Sequence, residues 1–150
     1  MKVFISCPFS GILDEKTKIV KEEYQQFFQP IIEYLEQNEI DHYFAITRER
    51  FGLDYQSPEE STKSDYEGVK TSDVLFVIPG NPISGGVHIE LGWASSLNKK
   101  IHLFLEKNNK YSPVVMGLSS LTKTVYHETE KFPSKQLAKK IIDEIKRELR

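Results

Sequence analysis

Residues Val74–Ala94 read VLFVIPGNPISGGVHIELGWA. The run VLFVI is apolar at every position and stops at Pro79-Gly80. A strand without polar alternation is buried on both faces, as central strands of parallel sheets are. Asp73–Ile78 is therefore expected to be such a strand. The Pro/Gly-rich loop Pro79–Gly86 follows, then a helical pattern from about Gly86 to Asn98. Glu90 falls in the first turns of that helix, beside Gly92 and Trp93. A buried strand, a glycine pair and a carboxylate together describe a small-molecule site, where a plain connection needs far less.

Outward from this segment, the chain alternates. Lys2–Ser6 is a β-branched and aromatic run ended by Cys7-Pro8-Phe9-Ser10-Gly11, a strand and its loop. Apolar residues from Val20 to Leu35 recur at helical spacing, so a helix is expected over about Asp14–Asn38, kinked or split at Pro30. Ile40–Ile46 reads as a second strand and Thr47–Gln56 as a polar loop carrying Arg48, Arg50 and Gly52. Ser57-Pro58 starts a helix that runs to about Thr71. Lys100–Leu105 is a fourth strand, Pro113–Ser120 a short helix and Lys123–Tyr126 a short fifth strand. Ser134 caps a last helix, with Leu137, Ile141, Ile145 and Leu149 on its apolar stripe. This β-α alternation predicts a flavodoxin-like, Rossmann-like α/β sandwich. Its five-stranded parallel sheet should have the order 2-1-3-4-5, in a single domain over residues 1–150. In that order the ligand crevice opens at the carboxyl ends of strands one and three. The two loops richest in Gly and Pro, Cys7–Gly11 and Pro79–Gly86, follow those two strands and should face each other.

Composition narrows the function classes. A net charge of −2 supplies no field for nucleic acid or an acidic membrane surface. The single cysteine, Cys7, forms no internal disulfide and fits a reducing compartment. With no long apolar run and no signal-like N-terminus, a cytoplasmic location is expected. His42, His88, His102 and His127 show no metal-ligand spacing, so neither metal nor cofactor is expected. Gly85-Gly86 before a helix would let backbone N–H groups meet an anion. The helix dipole would hold Glu90 ionised, as an attacking carboxylate must be. Asp65, on the preceding helix, could be a second carboxyl group acting on a leaving group or a sugar hydroxyl.

At these residues the chain resembles the nucleoside 2-deoxyribosyltransferase family, including its relatives that hydrolyse nucleoside 5′-monophosphates. The resemblance rests on Asp65-Tyr66-Glu67-Gly68-Val69-Lys70-Thr71-Ser72-Asp73, the strand after it, Gly86, and Glu90-Leu91-Gly92-Trp93-Ala94. It implies that Glu90 attacks C1′ of the sugar, and that Asp65 lies near base and sugar and helps protonate the leaving base. Where transferases of the family carry an aspartate six residues before the glutamate, this chain has Ser84. A serine there looks to a 5′-phosphate in the hydrolysing branch. Three positions depart from the family: Phe4 stands for an orienting tyrosine, Ser10 for a phosphate-binding arginine, and His88 for a glycine. The implied substrate is a small nucleoside or nucleotide, bound by Cys7, Pro8, Phe9, Ser10, Gly11, Ser84, Gly85, Gly86, His88 and Trp93. The resemblance also implies a homodimer or larger homo-oligomer, with Tyr111–Ser120 as the segment donated to a neighbour's site. Two other readings remain open at this point: cleavage of a dinucleotide such as NAD, and a nucleotide-sensing domain without turnover.

Overall fold

Strands β1 (Lys2–Ser6), β2 (Asp41–Phe44), β3 (Val74–Val77), β4 (Lys100–Glu106) and β5 (Thr124–Thr129) pair in parallel in the order β2-β1-β3-β4-β5. The structure, a computed structural model, describes residues 1–80 and 84–150. Positions 81–83 of the expected Pro79–Gly86 loop lie outside the described residues. The order is that of a Rossmann-like α/β fold, with its switch point between β1 and β3.

Strand alternation sorts the core onto two faces. Val3 and Ile5 of β1, with Val74 and Phe76 of β3, pack against helices α1 (Glu22–Gln37) and α6 (Lys135–Glu148). Phe4, Leu75 and Val77 point the other way, toward α3 (Pro58–Thr71), α4 (Gly85–Ser96) and α5 (Pro113–Met116). Both faces are covered, which is why β3 needs no polar side chain. Two local features aim this layer at the crevice. Ser57 and Glu60 form a reciprocal capping box at the start of α3, with Pro58 at its first position. Gly68 then lets α3 press on the sheet, because a Cβ there would lie 2.8 Å from the Tyr43 ring and 2.9 Å from Phe4.

Several boundaries differ from expectation. Helix α1 begins at Glu22, not Asp14. The Asp14 carboxylate accepts from the amides of Lys16 and Thr17, and Leu13 bridges Val20, so a turn outcompetes the helix. Pro30 neither ends nor splits α1. Pro30 and Gln26 are exposed, so solvent can serve the Gln26 carbonyl that proline leaves free. Strand β2 ends at Phe44, and the supposed polar loop begins inside a short helix, α2 (Ala45–Arg48). Strand β5 extends to Thr129. Leu149 caps α6 at 44% exposure and does not join its buried stripe.

His102 and His127, on neighbouring strands, meet beneath α6. The Glu148 carboxylate accepts from His102 Nε2 at 3.1 Å, which leaves His102 Nδ1 to accept from His127 Nε2 at 2.9 Å. Burial pushes both imidazoles below the usual range, His127 to about 4, and its neighbour His102 adds to that effect. The fold therefore binds fewer protons here than the unfolded chain. Stability is full above about pH 6.5 and is lost as pH falls toward 4, on the order of 2 kcal/mol. Thermal midpoints of wild type and His127→Gln should accordingly converge as pH drops from 7 to 4. Parallel curves would mean the pair does not set acid stability.

Candidate active site

The carboxyl ends of β1 and β3 open into a cavity of about 390 Å³, within the range of small-molecule sites. Its lining includes Cys7, Phe9, Ser10, Asp65, Ser84, Gly86 and Glu90, drawn from the segments singled out in the sequence. The loops after β1 and β3 do meet. Gly80 sits at φ +73°, and a Cβ there would lie 2.2 Å from Pro8 Cγ, so only glycine fits both the backbone and the contact.

The other expected site residues stand around the cavity rather than on its wall. Pro8 is buried against Gly80, and Gly11 is exposed. His88 turns Nδ1 to the Ser84 carbonyl at 3.0 Å, and Trp93 packs edge-on to Tyr66 with centroids 5.4 Å apart. Gly85 precedes Gly86 at the start of α4; a Cβ on Gly85 would meet nothing within 4 Å among the described residues. Ser84 caps α4, its Oγ accepting from the Val87 amide at 3.5 Å. Among the described residues that line the cavity, none comes from Tyr111–Ser120 of its own chain.

Glu90 lies in the second turn of α4 and is 9% exposed. Ser6 Oγ, at the end of β1, donates to Glu90 Oε2. Among the described residues Oε1 has no hydrogen-bond partner. Burial pushes the Glu90 carboxyl up to about 8; the Ser6 hydrogen bond and the Arg48 charge pull it down, and the Asp65 charge pushes it up. This corrects the expectation of a dipole-held carboxylate. The dipole acts mainly in the first turn, and desolvation outweighs it here. The Cys7 thiol beside it is also raised, by burial first and then by the Glu90 charge.

Asp65 is fixed by two residues that the sequence did not single out for the site. Its Oδ1 accepts from Tyr43 Oη at 2.7 Å and from Arg48 Nη1 at 2.8 Å. Arg48 Nη1 also donates to Tyr43 Oη, and Arg48 Nη2 donates to Glu49 Oε1 at 2.7 Å. Glu49 is 3% exposed and takes further hydrogen bonds from the Gln56 amide and Ser61 Oγ. Arg48 thus bridges two carboxylates. Tyr43 stacks on Phe4 with centroids 5.1 Å apart, so Phe4, where the resemblance implied an orienting tyrosine, packs against the ring whose hydroxyl holds Asp65. The only hint in sequence was Arg48 itself, a cation just past strand two and next to the crevice.

Comparison with known proteins places this geometry. The family described as nucleoside 2-deoxyribosyltransferase matches residues 18–141. No curated protein matches the chain. Among solved structures, the chain is similar to BcmB, a CMP N-glycosidase from Clostridium botulinum. Identity is 27%, coverage is 97% of this chain and 98% of that one, and the TM-score is 0.70. It is similar to BlsM at 33% identity, 95% and 86% coverage and TM-score 0.75. A conserved protein from Enterococcus faecalis V583, at 16% identity, 99% and 98% coverage and TM-score 0.59, shares the fold. The match spans most of the chain, from α1 through the Asp65 and Glu90 segments to α6, and the chain belongs to the nucleoside 2-deoxyribosyltransferase family.

Proposed function

We propose that this chain cleaves the N-glycosidic bond of a (deoxy)nucleoside or nucleoside 5′-monophosphate, with Glu90 as nucleophile. The observation that carries this is the pair of carboxylates in one cavity wall. Glu90 has one oxygen tied to Ser6 and the other without a partner among the described residues, and Asp65 is tied to Arg48 and Tyr43 through a single oxygen. The similarity to a CMP N-glycosidase supports the bond type.

In this reading Glu90 Oε1 attacks C1′ and the C1′–N bond breaks. The base leaves with the electron pair and takes a proton from water. Water then attacks C1′ of the glycosyl ester, loses a proton and frees Glu90. Asp65 is paired with a cation through Oδ1, so it suits accepting a hydrogen bond from a sugar hydroxyl through Oδ2 better than releasing a proton. This differs from the role the family resemblance implied. A 5′-phosphate would sit at Ser84 and the first amides of α4, which a helix leaves unpaired.

Release of free base from the common nucleosides and their 5′-monophosphates, followed by chromatography, tests the reading. At least one of them should yield base. Its kcat/KM should rise with pH and level off near 8, because the free enzyme must lose the Glu90 proton before attack. If no compound in the panel yields base, the assignment fails. If kcat/KM falls as pH rises through 8, Glu90 acts as a proton donor instead.

A further inference from the structure

We propose that Ser6 is the positioning residue of this site, holding one oxygen of Glu90 so that the other faces the substrate. The inference rests on the reading of Glu90 as nucleophile. Ser6 ends β1 and is 2% exposed. Its backbone cannot drift: it pairs in register with Val77, and its carbonyl accepts from the Ile78 amide at 2.8 Å. A hydroxyl fixed at the switch point between β1 and β3 therefore serves a carboxylate 84 positions away in sequence. Among the described residues it is the one side chain hydrogen-bonded to Glu90. Phe4, two residues earlier on the same face, has no polar atom to share the task, and Tyr43 beside Phe4 spends its hydroxyl on Asp65.

The chemistry suits serine. A buried carboxylate needs a donor when ionised, and a hydroxyl can donate to it or accept from its protonated form. With Oε2 engaged, Oε1 is the oxygen left to meet C1′ in the cavity wall. The remaining charges that act on Glu90 come from two other segments, Arg48 in α2 and Asp65 in α3, with Glu49 behind Arg48; the Cys7 thiol, in the loop after β1, faces the same cavity and is itself raised by burial and by the Glu90 charge. Of the two that lower its proton affinity, Ser6 touches the carboxylate and Arg48 acts through its charge.

Two measurements test this, and one needs no substrate. Carbon-13 NMR of the Glu90 side-chain carboxyl, titrated in the unliganded protein, should place its midpoint about one pH unit higher in Ser6→Ala than in wild type. Ser6→Thr, which keeps the hydroxyl, should stay close to wild type. With whichever nucleoside or nucleotide releases base, Ser6→Ala should lower kcat/KM at pH 7 about tenfold and move the limb of the profile upward by the same unit. Ser6→Thr should stay within about threefold of wild type in kcat/KM. An unchanged titration and profile in Ser6→Ala, with the thermal midpoint retained, would overturn the positioning role while leaving the glycosidase reading intact. Failure of that reading is seen separately, as wild type and Glu90→Gln giving no base from any of the compounds.

Discussion

Glu90→Gln is expected to reduce base release by roughly 10³-fold or more while leaving the fold in place. The amide is isosteric, keeps an oxygen for Ser6 to donate to, and cannot form a glycosyl ester. The same change should alter stability with a definite sign. Burial raises the Glu90 carboxyl to about 8 in the fold, well above its unfolded value. The fold therefore binds a proton that the unfolded chain gives up. That contribution is full below about pH 4.5 and is lost as pH rises through 8. Glutamine has no such dependence, so the variant should gain on wild type across that window, on the order of 3 kcal/mol by pH 9. Thermal melts of both proteins from pH 5 to 9 would show a widening gap. A variant that is inactive and also unfolded would remove the distinction between catalysis and scaffold.

Arg48→Met should cost more stability than any other single change on the cavity wall. Arg48 is the counter-ion of both Asp65 and Glu49, and its side chain is only 17% exposed. Removing it leaves two poorly solvated carboxylates without their counter-ion. Breaking a buried pair from one side costs about 3 kcal/mol or more. In a chain of this size that lowers the thermal midpoint by roughly 10 °C. Loss of the Arg48 charge should also move the Glu90 limb to higher pH, since that charge pulls the Glu90 carboxyl down. Denaturant titration and a pH–rate profile of the same variant check both effects. A loss below 1 kcal/mol, with the limb in place, would mean that Arg48 is a surface residue in energetic terms.

The contrast between Glu90 and Arg48 shows which parts of the site were legible in sequence. The sheet order followed from alternation and from the apolar β3 run, because both faces of that strand are buried. Helix α3 could be placed to the residue, since Ser57, Pro58 and Glu60 form a local signal. Glu90 and Asp65 stood in a recognisable run. Arg48 did not, because its meaning depends on Asp65, 17 positions away, and on a short helix hidden in what read as polar loop. Ser6 was an ordinary strand-ending serine until the fold brought α4 over it. The ionisation of Glu90 went the other way from expectation for the same reason. The helix dipole is visible in sequence, whereas the burial that outweighs it comes from four segments meeting.

The stereochemistry of sugar transfer tests the central claim most directly. A β-nucleoside or β-nucleotide that releases base is incubated with the enzyme in buffer containing methanol, and the methyl glycoside is identified by proton NMR as it forms. Attack by Glu90 followed by attack of methanol inverts C1′ twice, so the account predicts the β-anomer. The α-anomer would mean that solvent displaces the base in one step, and Glu90 would then not be the nucleophile.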